Sequence, residues 1–349
     1  MAYKMRLYCL KVITITIFML QLQQVLAQTN WADVDAEVTS KQKMLGNDLV
    51  AIILSGDSIV YKKELGSFNS KTQAPIASCS KWLTAALVMQ FVDDGKISLD
   101  DPVAKYLPIF KKYFKNYTTI RQCLSHATGI EDEGTFLKKM IQRKKFNSLE
   151  EEVESFAARE IRANPGKDFW YGNVGLNIAA RVLEVVSKKK FDILIKSKLL
   201  NPLDMRKTSF SNQSGAINPS GGAVSTADDY LHFLQMLLNN GKYNGVQVLS
   251  QKSVEEMRKI QTTATTIMYA PKSASGFGYA SGSWVLEKDS KGIATTLASP
   301  GLFGTWPMIN YCKGYAYIIF VKNILGEERA DIHMNLKKMI DTKMTKRCN

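Results

Sequence analysis

The chain has 349 residues, with 46 lysines and arginines against 32 acids and a formal net charge of +14 at neutral pH. Its lysines are scattered through pieces such as Lys111-Lys112, Lys144-Lys145 and Lys188-Lys189-Lys190. No zinc-finger or helix-turn-helix spacing turns that charge into base reading, so no nucleic-acid partner is expected, and a solvated basic face attracted to anionic surfaces accounts for it.

The first predicted element is a secretory signal peptide over 1–27. Lys4, Arg6 and Lys11 accompany the apolar run Val12 to Leu20, and Val25-Leu26-Ala27 supplies small residues ahead of Gln28. The run is shorter than the ~20 residues a spanning helix needs. A mature start at Gln28, a periplasmic or secreted location and no stable membrane span after cleavage are therefore expected.

Leu49 to Leu54 and Ser58 to Lys63 are β-prone runs joined through Ser55-Gly56-Asp57, which predicts a hairpin. From Ser78 to Val92 the chain is apolar almost all round, with Leu83, Leu87, Phe91 and Val92 at helical spacing before Asp94-Gly95, and this predicts a buried helix. Between about Asp101 and Arg258, loops marked by Pro102, Pro108, Pro165, Pro202 and Pro219 separate helical stripes. Leu176, Ala180, Leu183 and Val186 form one stripe, and Leu231, Leu234, Leu237 and Leu238 another. From Gly276 onward β-prone segments recur around Ser283 to Leu286, Ala294 to Leu297, Trp306 to Tyr311 and Tyr315 to Lys322, before a helix carrying Ile332, Leu336, Met339 and Ile340.

Strands at both ends with helices between them predict an α/β fold of the α+β type. Its antiparallel sheet, flanked by helices, draws on about 28–75 and 259–349, and an all-helical lobe is inserted over about 76–258. The whole of 28–349 exceeds what one hydrophobic core organises, so a cleft between the lobes is expected to hold any pocket. Four cysteines follow the leader, Cys79, Cys123, Cys312 and Cys348. They show no metal-ligand spacing, and two bridges or free buried thiols are equally open to them.

Three patterns can carry chemistry. Ser78-Cys79-Ser80-Lys81 sets a hydroxyl and an amine three residues apart on one helical face, where a desolvated lysine can take a serine proton; the alternative is a serine that merely caps the helix. Tyr171-Gly172-Asn173 offers a phenol for proton relay and an amide for a substrate, or a loop tyrosine satisfied by backbone. Ser299-Pro300-Gly301-Leu302-Phe303-Gly304 lies between two predicted strands. Its glycines admit a substrate close to the backbone, and the N–H of Leu302 with that of Ser78 would form an oxyanion hole; as a bare pattern, Pro-Gly also marks an ordinary turn.

The order Ser-x-x-Lys, Tyr-x-Asn and a glycine-bearing strand resembles class C β-lactamases, D-alanyl-D-alanine peptidases and their esterase relatives. Leu99-Asp100-Asp101-Pro102-Val103, Leu124-Ser125-His126-Ala127-Thr128-Gly129, Asn201-Pro202-Leu203-Asp204-Met205 and Gly221-Gly222-Ala223-Val224-Ser225-Thr226-Ala227 extend the likeness over roughly 30–340. The resemblance implies a β-lactamase/transpeptidase-like fold, with Ser78 as acylated nucleophile, Lys81 its activator, Tyr171 the general base and acid, and Asn173 a substrate-orienting amide. Ser299, Gly301 and Leu302 fall at the third motif and would contact substrate.

That third motif departs from the family pattern, where lysine, histidine or occasionally tryptophan stands first. Losing a cation that steers a substrate carboxylate favours a small ester or amide, D-amino-acid peptides included, over penicillin or cephalosporin turnover. A class C-like β-lactamase is the enzymatic alternative, and a non-catalytic envelope binding protein keeping the fold is the alternative of another class. No cofactor or metal is implied. His126 reads as a turn residue, His232 lies on a leucine-rich helix, His333 is on the terminal helix, and no G-x-S-x-G elbow presents a serine to any of them.

Overall fold

A computed structural model describes residues 30–132, 146–210, 215–262, 267–323 and 329–348; the signal-peptide expectation for 1–27 lies outside them. In chain order they begin with α1 (Ala32–Ser40), β1 (Leu49–Ser55), β2 (Ser58–Leu65), β3 (Ala74–Pro75) and α2 (Ser80–Asp93). Next come α3 (Ile109–Lys112), α4 (Ile120–Leu124), α5 (Leu149–Ala157), β4 (Phe169–Trp170), α6 (Val174–Ser187) and α7 (Phe191–Ile195). Then follow β5 (Val224–Ser225), α8 (Ala227–Leu238), β6 (Lys242–Tyr243), β7 (Val246–Gln247), α9 (Gln251–Met257) and β8 (Ile267–Tyr269). The chain closes with β9 (Gly278–Tyr279), β10 (Trp284–Lys288), β11 (Ala294–Ala298), β12 (Trp306–Asn310), β13 (Tyr315–Val321) and α10 (Ala330–Lys343).

The predicted hairpin forms across Gly56-Asp57, with Gly56 at φ 59°, a left-handed value that glycine adopts without a Cβ penalty. Beyond it the sheet runs β2-β1-β13-β12-β11-β10-β9, antiparallel at every step. The junction of the two halves is the β1–β13 ladder, from Leu49 opposite Val321 to Ser55 opposite Tyr315. Both strands are buried on both faces, and successive residues serve different layers. Val50, Ile52, Leu54, Ala316, Ile318 and Phe320 join the core that holds α2, α6 and α8. Leu49, Ala51, Ile53, Tyr315, Tyr317 and Ile319 pack instead with Val34 and Val38 of α1 and Ile332, Leu336 and Ile340 of α10.

Helix α2 is buried at every residue from Ser80 to Phe91, as its all-round apolar sequence requires. It runs behind the sheet and packs on α6, so a residue at its N-terminal end faces the seam between sheet and helices. No helix among the described residues is long and apolar enough to cross a membrane.

Cys312, in the turn between β12 and β13, is bonded to Cys348 at 36 residues' separation, which decides a pairing the sequence left open; Cys79 and Cys123 are buried free thiols. The bridge ties the tail after α10 to the sheet, and Arg347 N donates to Cys312 O at 2.6 Å. Closing a loop of this length stabilises a fold by about 3–4 kcal/mol in the chain-entropy account. Cys348→Ser is accordingly expected to lower the urea midpoint of the oxidised protein; an unchanged midpoint would show that the tail adds no stability.

Candidate active site

The predicted helix head at Ser78 is a 3₁₀ turn, Ala77–Cys79, that leads into α2. Ala77 holds φ 44°, a left-handed value few residues with a Cβ adopt. Several bonds hold that turn. Ser80 Oγ donates to Ala77 O at 2.6 Å and accepts from Ala223 N at 3.1 Å, Ile76 N donates to Ala223 O at 3.0 Å, and the Tyr230 hydroxyl donates to Cys79 O at 2.9 Å. Strain retained this way at a would-be nucleophile is a mark of a functional site. Cys79 points elsewhere, buried with its Sγ 3.5 Å from Thr305 O, and burial pushes its thiol pKa up.

Lys81 reaches back to the turn. Only 1% exposed, it donates from Nζ to Ser78 Oγ at 3.1 Å, to Asn173 Oδ1 at 3.2 Å and to Ser220 O at 2.9 Å. The i, i+3 spacing thus gives the contact expected of it. Asn173 is the residue just before α6, and its own backbone is fixed, the N–H donating to Asp132 Oδ2 at 2.9 Å and the C=O lying 2.9 Å from Ser220 Oγ. Gly172 is required here because a Cβ would collide with the Asp132 carboxylate.

A buried relay stands behind this pair. Ser220 Oγ donates to Asn177 Oδ1 at 2.7 Å, and Asn177 Nδ2 donates to Glu152 Oε2 at 2.9 Å. Sequence reasoning missed Ser220, Asn177 and Glu152. Asn177 alone left a signal, being a polar residue in the apolar stripe of α6 one turn after Asn173.

Tyr171 sits between His126, with ring centroids 4.7 Å apart, and Trp284, at 5.0 Å. Burial raises its phenol pKa, against which a hydrogen bond with Ser78 acts in the lowering direction. The phenol is therefore neutral at rest, with a proton to give. His126, read from sequence as a turn residue, does hold φ 55°, and it is also packed into the site, its Nε2 3.0 Å from the Tyr279 hydroxyl and its C=O accepting from Trp170 N at 3.0 Å. His232 lies apart, bonded through Nδ1 to Leu203 O at 3.0 Å. His333 stacks on Trp306 at 4.3 Å, and burial lowers its pKa to about 3, so it is neutral.

The third pattern follows β11 and closes the site from the sheet side. Ser299 Oγ lies 3.4 Å from Ser78 O and 3.3 Å from Gly282 O, its one proton shared between them, so its hydroxyl braces the turn that carries Ser78. Gly301 is a close-approach glycine, since a Cβ would strike Ile76 O and lie 3.1 Å from Cys79 Sγ. Its N–H is committed to Thr305 O at 2.8 Å. Leu302 and Ser78 line a cleft of about 250 Å³ with Lys81, Tyr171, Asn173, Gly301, Trp284 and Trp306. Tyr269, Pro271 and Ser273 form another part of the wall, and Arg329, Ala330 and His333 reach in around α10. None of these came from the sequence, because their distance along the chain hides their neighbourhood.

A family model described as Beta-lactamase matches residues 36–336. The chain belongs to the beta-lactamase family. A solved structure from Bacteroides dorei, described as a candidate beta-lactamase, is 27% identical, with a TM-score of 0.79 over 89% of this chain and 98% of that one. The same fold appears in EstCE1, a hydrolase with promiscuous acyltransferase activity, at a TM-score of 0.75 and 18% identity, covering 91% of this chain and all of that one. Protein flp of Staphylococcus aureus (strain MRSA252) is 28% identical over 146 residues, 41% of this chain and 29% of that protein, so the match spans under a third of that relative's length. In this chain Ser78, Lys81, Tyr171 and Asn173 converge on one cleft.

Proposed function

We propose that the chain is an exported serine hydrolase that cleaves a small ester or amide through an acyl-enzyme on Ser78. The observation that carries this is the contact of Ser78 Oγ with the Lys81 amine, at 3.1 Å, in a cleft that Tyr171 and Asn173 also line. Ser78 Oγ attacks the carbonyl carbon as its proton passes to Lys81 in its neutral amine form, which returns it to Tyr171 once that phenol has given its own proton away, and the N–H groups of Ser78 and Leu302 receive the oxyanion. The bond to the leaving oxygen or nitrogen then breaks, and Tyr171 supplies that atom's proton. Water afterwards splits the acyl–Ser78 bond, returning the serine hydroxyl and releasing the acid. Asn173 orients the substrate's amide or ester. Export is supported by the N-terminal pattern over 1–27 and by the Cys312–Cys348 bridge, which suits an oxidising compartment.

A second reading, turnover of a β-lactam, is favoured by Arg329, a cation in the cleft wall where Ser299 supplies none. One experiment separates the readings. The protein and its Ser78→Ala variant are treated with a fluorophosphonate and a fluorescent penicillin, and covalent label is read on a gel. Ser78-dependent label from the phosphonate alone is the expected result, label from both favours the second reading, and none from either leaves only a binding protein.

A further inference from the structure

We propose that the cleft has a leaving-group subsite for a flat, uncharged aromatic ring, built on Tyr269 beside Tyr171; this rests on the acyl-enzyme reading above. Tyr269 is 44% exposed yet lines the cleft. Its ring is already held in place, stacked on Trp170 with centroids 5.5 Å apart and planes 26° from parallel, and the Arg162 guanidinium lies 4.3 Å over Trp170 in turn. An aromatic surface fixed before binding loses little freedom when a ligand ring settles on it.

The backbone says which part of a substrate meets that surface. β4 and β8 pair with Trp170 opposite Tyr269, and Tyr171 N donates to Tyr269 O at 3.1 Å. The residue that hands a proton to the departing group and the residue that offers a ring face are thus locked side by side. In ester cleavage the acyl carbon stays on Ser78 Oγ while the C–O bond to the alcohol breaks, and that oxygen takes its proton from Tyr171. The alcohol therefore departs on the Tyr269 side, along a wall continued by Pro271 and Trp284. Neither is charged, and a planar ring matches them better than a puckered one.

The test compares benzyl acetate with cyclohexylmethyl acetate, two esters with the same acyl group, similar alcohol basicity and similar bulk, by titrating released acetic acid. Wild type and Tyr269→Phe are expected to favour the benzyl ester in kcat/KM by roughly three- to tenfold. In Tyr269→Ala that ratio should fall to about one, with cyclohexylmethyl acetate turnover retained as the control for an intact catalytic centre. A ratio near one in wild type, a preference that survives in Tyr269→Ala, or no turnover of either ester by a protein whose Ser78 takes the phosphonate label overturns the subsite alone. Loss of Ser78-dependent label overturns the acyl-enzyme reading and the subsite with it.

Discussion

Lys81→Met is expected to lose about three orders of magnitude in kcat while remaining folded. General acid–base groups contribute about 10²- to 10⁴-fold, and Lys81 is the amine within hydrogen-bond reach of Ser78 Oγ. Methionine keeps the length and apolar stem of the side chain in a site where the lysine is 1% exposed, so packing is largely preserved. Removing a buried amine also removes its desolvation cost. Against that, Asn173 Oδ1 and Ser220 O lose a donor, at about 1–3 kcal/mol for each acceptor left unsatisfied. The net expectation is a melting temperature lowered by a few degrees and a phosphonate-labelling rate that falls in step with kcat. Labelling at the wild-type rate would sink the assignment of Lys81 as the activating group.

Gly301→Ala is expected to cost about 100-fold in kcat/KM, mostly in kcat. The backbone there is not left-handed, so the penalty is one of space: the added methyl meets the Ile76 carbonyl oxygen and the Cys79 sulfur. Neither neighbour can yield, because Ile76 N is bonded to Ala223 O and Cys79 O accepts from Tyr230. The segment after β11 must therefore shift away from Ser78, carrying the Leu302 N–H with it. A displacement near 1 Å at a reacting centre costs roughly 10²-fold, and loss of one oxyanion donor costs about as much. Overpacking should also lower stability by about 1–3 kcal/mol. Parallel measurement of kcat/KM and of urea unfolding checks both halves, and wild-type activity in a destabilised variant would place the oxyanion donors elsewhere.

Much of the fold was legible because its signals are local. Hydrophobic spacing marked α2, α6, α8 and α10, and β-branched runs bounded by turn residues marked β1, β2 and the last four strands. The β1–β13 ladder was legible only as a consequence of strands at both ends of the chain; its register depends on which side chains share a layer, and strands buried on both faces carry no alternation to set it. The site divided along the same line. Ser78 and Lys81 announced themselves by spacing, and Tyr171 with Asn173 by the family pattern. Ser220, Asn177 and Glu152 did not, because single polar residues acquire meaning only from partners tens of residues away. Cys348 found Cys312 for the same reason, since the return of the tail after α10 is a tertiary fact.

The β1–β13 ladder has a further consequence, in the order of assembly. Leu49 and Val321 are neighbours in the sheet but ~270 residues apart along the chain, and a contact that distant forms late and slowly. Until β13 arrives, the β1–β2 hairpin presents an unpaired edge that is apolar from Leu49 to Leu54, a state open to misassociation. A polypeptide of this design stays unlocked until its last strand has been made. The same topology that sets Ser78 at the seam thus postpones the moment at which the seam exists.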